Sequence, residues 1–194
     1  MAPLFTDTSL LEEMNMINDW MKIHQSLLNA FANVPRPNFE AIAIIGCCEE
    51  HEEDFDVYRN ISWREFELIL QTRGFDPSDY AAIHPVAFHY FTPGVLSAEI
   101  KLLASVPEDE WGGLIDTWIG HYIINPDRIE EFKREYLTYF NTAQRQAVSE
   151  VLAWYKEWHL IHYGYDYDEL DEQEEERWGT ITEANNLVWN VRDA

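Results

Sequence analysis

Asn141-Thr-Ala-Gln-Arg-Gln-Ala-Val-Ser-Glu-Val-Leu-Ala-Trp-Tyr-Lys-Glu-Trp-His-Leu160 is the stretch on which the fold assignment turns. Its apolar stripe, Ala147, Val148, Val151, Leu152, Tyr155 and Leu160, follows helical spacing, and Asn141 or Thr142 stands where an N-cap belongs. The same pattern recurs between Asp7 and Val34, where Leu10, Leu11, Met14, Ile17, Met21, Leu27, Leu28 and Phe31 predict one long amphipathic helix with Thr8 as its N-cap. That helix must stop at Pro35-Arg36-Pro37, because two prolines remove backbone donors and forbid continuation.

Between these two helices lies a series of shorter signals. Phe39 to Cys48 is an apolar run whose alanines favour helix over strand. Ser62-Trp63-Arg64-Glu65 is a capping box, in which hydroxyl and carboxylate each satisfy a free backbone N–H, and it opens a helix to Gly74. Asp76-Pro77-Ser78-Asp79 is a turn. Pro85 starts a short helix through Phe88 and Phe91 that Pro93 is expected to interrupt, with helix resuming from Val95 to Val106.

Pro107-Glu108-Asp109-Glu110 opens a further helix ending near Asn125, with Trp111, Leu114, Ile115, Trp118 and Ile119 on its apolar face. Pro126 begins another, with Ile129, Phe132, Tyr136 and Leu137 turned inward. Near the C-terminus Trp178, Ile181, Leu187, Val188, Trp189 and Val191 resume an apolar pattern and are expected to dock back on the domain. With 194 residues and no visible repeat, the expectation is one all-α domain spanning 1–194, an irregular bundle of about seven to nine helices, several of them short.

Charge narrows the choice of partner. Thirty-six Asp and Glu against 13 Lys and Arg give a formal net charge of −23. Such an excess repels nucleic-acid phosphates and anionic lipid, so direct binding to either is not expected. The longest uncharged apolar stretch, Ala41 to Cys48, falls far short of the roughly 20 residues that cross a bilayer. With no basic-then-apolar leader at Met1 to Asp7, cytoplasmic residence is the expectation. A charge of this size is either protection against aggregation or a match to a cationic partner.

Fourteen of the acids fall in two runs. Glu49, Glu50, Glu52, Glu53, Asp54 and Asp56 form the first. Asp166, Asp168, Glu169, Asp171, Glu172, Glu174, Glu175 and Glu176 form the second, read as an exposed loop over 165–177, with Tyr163, Tyr165 and Tyr167 against it. Tyrosines beside carboxylates suit an interface to a basic protein, since Tyr gives apolar area at low entropic cost and carboxylates pair with Lys and Arg. A solubilising run beside core tyrosines is the competing reading.

Catalytic and metal motifs are scarce. No His-Glu-x-x-His occurs, and no Glu stands three residues before a His. His159 and His162 could share a helix face but lack the third ligand of a catalytic zinc site, so no metal or cofactor is expected. Asp166-Tyr-Asp168-Glu-Leu170-Asp171 departs from a calcium loop, with Leu and Asp where a ligand and Gly are required. Cys47 and Cys48 lie near His51, but the six acids that follow would raise a thiol pKa, so both read as small buried hydrophobes rather than nucleophiles. There is no Gly-x-Ser-x-Gly and no glycine-rich phosphate loop. An enzyme would need a site that folding assembles from His84, His89, His121, His159 or His162 with carboxylates.

At Ile83-His-Pro85-Val-Ala87-Phe88-His-Tyr90-Phe91-Thr-Pro93 and at Phe140-Asn-Thr142-Ala-Gln144-Arg-Gln-Ala147-Val148 the chain resembles an uncharacterised bacterial helical domain family. Its members pair a Pro-x-Ala-Phe-aromatic-Pro segment with a later Phe-Thr-x-x-Gln segment. The resemblance covers Trp63 to Trp154, with Gly94 and Asn141 departing from the pattern. It implies helicity and a bacterial origin and brings no chemistry. The function expected is thus a non-enzymatic acidic binding protein, an immunity protein or inhibitor that covers the basic active site of a toxin or nuclease. A phage-encoded inhibitor of a host defence nuclease has the same charge logic.

Overall fold

The computed structural model describes residues 7–38, 60–73, 84–105, 114–115, 118, 126–162, 179, 182 and 185–189. These residues form five α-helices, and no strand occurs among them. The helices are α1 (Asp7–Ala30), α2 (Trp63–Arg73), α3 (Pro85–Ser105), α4 (Pro126–Glu135) and α5 (Thr142–His162). A 3-10 turn at Leu137–Tyr139 joins α4 to α5, and a π-helical turn at Asn185–Trp189 lies near the C-terminus. The all-α expectation holds.

The count of described helices is lower than the seven to nine expected. Phe39–Cys48 and most of Pro107–Asn125 lie outside the described residues, but one difference is a genuine correction. Pro93 does not divide two helices: α3 runs unbroken through it. Thr8, expected as an N-cap, lies within the first turn of α1.

α3 survives its proline because of where it sits. Every residue from Ala87 to Ile100 is buried, so this helix is apolar all round and forms the axis of the core. An internal proline costs about 3 kcal/mol and a glycine about 1 kcal/mol. Burying Phe88, Phe91, Val95, Leu96 and Ile100, each at 0% exposure, returns about 1.5–3 kcal/mol per side chain and outweighs both.

The other helices close around this axis. α2 lies along α3, with the Phe66 ring edge-on to Phe91 at 5.0 Å. Ser62 and Glu65 make the capping box read from sequence: the Glu65 carboxylate accepts from the Ser62 backbone N–H at 2.6 Å, and Ser62 Oγ accepts from the Glu65 N–H at 3.2 Å. α1 and α5 pack together and both touch α3. Ser26 meets Glu150 while Phe31 meets Phe140, so α1 and α5 run antiparallel. Leu27 on α1 and Phe31, just beyond its end, are fully buried.

α5 carries the expected stripe, with Ala147, Val148, Val151, Leu152 and Tyr155 buried; Trp154 and Trp158, outside that stripe, are buried as well. Ile129, Phe132 and Tyr136 face inward as expected. Val188 and Trp189 are also buried and dock as expected, while Trp178, Ile181, Val191 and the side chain of Leu187 lie outside the described residues. The Arg145 guanidinium donates to the Val188 carbonyl at 2.8 Å, and Trp189 meets Phe140 edge-on at 5.0 Å.

The start of α5 is a reciprocal cap: Gln144 N–H donates to Asn141 Oδ1, and Asn141 N–H donates to Gln144 Oε1, both at 3.0 Å. The same Gln144 oxygen receives His89 Nε2 at 3.0 Å. Removing it therefore strands two donors, one of them deep in the core. Gln144→Ala is expected to lower unfolding free energy by about 2–3 kcal/mol, against about 1 kcal/mol for Asn141→Ala. Urea unfolding of the two variants in parallel checks the order, and equal losses would show that the His89 bond contributes little.

Candidate functional site

A buried helix cannot leave polar groups unpaired without cost, since each orphan forfeits about 1–3 kcal/mol. α3 buries four, His89, Thr92, Ser97 and Glu99, and half-buries a fifth, Lys101. Each is used to hold a neighbour. His89 bonds Gln144 at the start of α5. Thr92 Oγ1 donates to the Phe88 carbonyl at 2.7 Å and accepts from Trp118 Nε1 at 3.0 Å. The Glu99 carboxylate accepts from the Leu114 backbone N–H at 3.3 Å. Lys101 ion-pairs with Glu67 of α2, whose carboxylate also accepts from Gln71 at 3.2 Å.

Ser97 makes the fifth contact, to His24 of α1, with Oγ and Nε2 2.6 Å apart. Because Ser97 and Lys101 are one turn apart on α3, His24, Ser97, Lys101 and Glu67 form one polar cluster where α1, α2 and α3 meet. Burial is the main cause holding the His24 pKa below its ordinary value; Lys101 adds to this and Glu67 opposes it. Burial likewise lowers the pKa of His89, with its bond to Gln144 acting against it. Both imidazoles are neutral near pH 7.

A serine hydroxyl bonded to a neutral imidazole is the pairing that activates a nucleophile. Here it does not meet a substrate: Ser97 is at 0% exposure, beneath α1. In this conformation the cluster is a fastening. Its sequence signal was available but faint, consisting of single polar residues, Ser97 and Glu99, inside an otherwise apolar run.

The candidate histidines are dispersed among the described residues. His84 accepts the Val86 N–H at the start of α3, with Nδ1 and N 3.3 Å apart. His89 stands among aromatic rings, 4.6 Å from Phe140. His159 packs between Tyr155 and Trp158, with ring centroids at 4.5 and 5.1 Å. No group of three His, Cys, Asp or Glu side chains suited to a metal ion occurs among the described residues. His121 and both cysteines lie outside them, as does the side chain of His162.

The same holds for both acidic runs and their tyrosines: residues 49–56 and 163–176 lie outside the described residues. In sequence the first run falls between α1 and α2, closer to the start of α2, and the second follows the end of α5. Further exposed acids, Asp19, Glu65, Glu130, Glu131, Glu135 and Glu157, are spread over all the described helices except α3.

No described helix is long and apolar enough to cross a membrane. In comparison with known proteins, no family model, no curated protein and no solved structure matches the chain.

Proposed function

We propose that this chain is a non-enzymatic acidic binding protein, an immunity protein or inhibitor that occludes the basic active site of a bacterial toxin or nuclease. The observation that carries the reading is the net charge of −23, with fourteen of 36 acids in two short runs, the second beside Tyr163, Tyr165 and Tyr167. Carboxylates stand in for substrate phosphates, and the long-range field speeds encounter with a cationic cleft. The polar groups on the core helix are consumed in holding the bundle together, which leaves recognition to the acidic exterior. A phage-encoded inhibitor of a host nuclease would act in the same way.

The test is affinity capture of the tagged chain from its native cells at low salt, identification of what elutes as salt rises, and assay of that partner's activity. The expected result is a basic nuclease or toxin, released steeply by salt and inhibited by the purified chain. Because the two runs are separated by more than 100 positions in the chain, each is reversed separately. Glu172→Lys, Glu174→Lys and Glu175→Lys together should abolish inhibition if the second run makes the interface, and Glu49→Lys, Glu50→Lys and Glu52→Lys if the first does. Binding that is insensitive to salt, or inhibition that survives both reversals, would reject the mechanism.

A further inference from the structure

We propose that α1 is a pH-sensitive clasp: the neutral His24–Ser97 hydrogen bond fastens it to the core helix, and protonation of His24 releases it. Ser97 is fully buried on α3, and His24 is its only hydrogen-bond partner among the described residues. The arrangement that satisfies both groups has the Ser97 hydroxyl donating to an unprotonated Nε2, since a hydroxyl proton pointed elsewhere would be stranded in the core. A proton on Nε2 reverses the bond. His24 then donates to Ser97 Oγ, the hydroxyl proton loses its acceptor, and a charge enters a half-buried interface.

The charged groups around His24 do not rescue that state. From α3, Lys101 places a like charge beside it. From α2, Glu67 is attractive, but its carboxylate is already engaged by Lys101 and by Gln71. On α5, which packs along the other side of α1, Glu150 is taken up by Ser26 and by Gln146 at 3.1 Å each. On α1 itself, Trp20 presents a tilted ring 6.2 Å away, while Asp19 and Lys22 pair with each other in solvent. Among the described residues, Glu67, Glu150 and Asp19 each have another partner.

The direction of the pH effect follows. The free imidazole takes its proton near the ordinary value of 6.5, and the docked one only at lower pH. Docking is therefore at full strength above about pH 6.5 and weakens as pH falls through the docked value. Release would uncover Leu27 and Phe31, both at 0% exposure, together with the faces of α3 and α5 that receive them. In a chain that is otherwise strongly acidic, this is a concealed apolar surface whose opening mild acid makes about tenfold more frequent.

The test is amide hydrogen exchange of the full chain at pH 7.5 and pH 5.5, corrected for the intrinsic pH dependence of exchange. In the unaltered protein, amides of Leu27 to Phe31 should lose roughly tenfold in protection at the lower pH, about the effect of losing one internal hydrogen bond. Those of Val148 to Leu152 in α5 should be unchanged. His24→Gln keeps a hydrogen-bonding group but cannot titrate, and it should abolish the difference. If His24→Gln fails to fold, NMR titration of the His24 ring in the unaltered protein decides instead: the ring and the α1 amides should share one midpoint. A difference that persists in His24→Gln, a loss spread equally over α1 and α5 (as protonation of His89 would give), or two separate midpoints would overturn the proposal.

Discussion

Gly94→Ala is expected to destabilise the protein even though alanine is the better helix former. At an exposed position in a helix the change would gain about 1 kcal/mol. Here a Cβ on residue 94 would lie 2.5 Å from the Trp63 carbonyl oxygen and 3.5 Å from the Phe66 ring. The first contact cannot be relieved by turning a side chain, because the atom it meets is backbone at the start of α2. Either α2 moves away from α3, loosening the Phe66–Phe91 pair and the Lys101–Glu67 ion pair, or α3 is displaced within the core.

Overpacking of this kind costs about 1–3 kcal/mol, and because it spreads along a whole helix pair the upper end applies. The net expectation is a loss of about 2 kcal/mol, or about 4–8 °C in melting temperature for a chain of this length. Calorimetry of Gly94→Ala beside an exposed control, Thr138→Ala, measures it. A melting temperature equal to or above that of the unaltered protein would mean that propensity wins and that the close approach of α2 is not required.

The same residue shows where sequence reading reached its limit. Apolar periodicity located α1, α4 and α5, and the capping box at Ser62 located α2. The capping box at Ser62, the stripe from Ala147 to Tyr155 and the docking of Val188 and Trp189 could all be read from local pattern. α3 could not. Its Pro93-Gly94 pair carries the local signature of a break, and the compensation comes from burial on every side, which no window of sequence displays.

The polar fastenings illustrate the same limit. Gln144 reads as a cap residue, and only the fold shows that its oxygen also holds His89, 55 positions earlier. His24 and Ser97 are 73 positions apart, so their pairing is a product of topology. The net charge of −23 is a sum over the chain and depends on no topology. How the two acidic runs are placed on the bundle is a question for the separate charge reversals.

Phe88→Ala is expected to have the largest effect of any single substitution in the described core. Phe88 is fully buried, with its ring stacked on Trp118 at 4.7 Å and 7°. It meets Phe132 edge-on at 5.6 Å and Tyr136 edge-on at 5.4 Å, and a third edge contact, at 6.2 Å, reaches Phe140 at the entrance to α5. One side chain thus ties the core helix to Trp118, to α4 and to the start of α5.

Truncation removes the transfer free energy of the ring and leaves a cavity walled by four other rings. Those rings are themselves held, Phe132 and Tyr136 by stacking at 5.3 Å and Phe140 by Trp189 at 5.0 Å, so the cavity cannot readily collapse. The expected loss is about 4 kcal/mol, a large fraction of the 5–15 kcal/mol that stabilises a typical domain. Phe88→Leu keeps much of the volume but none of the ring contacts, and should cost about 1–2 kcal/mol. Urea unfolding followed by near-ultraviolet circular dichroism separates the two variants. A loss below about 1 kcal/mol for Phe88→Ala would mean that the surrounding rings close over the gap, and that the aromatic cluster is more plastic than its interlocked geometry indicates.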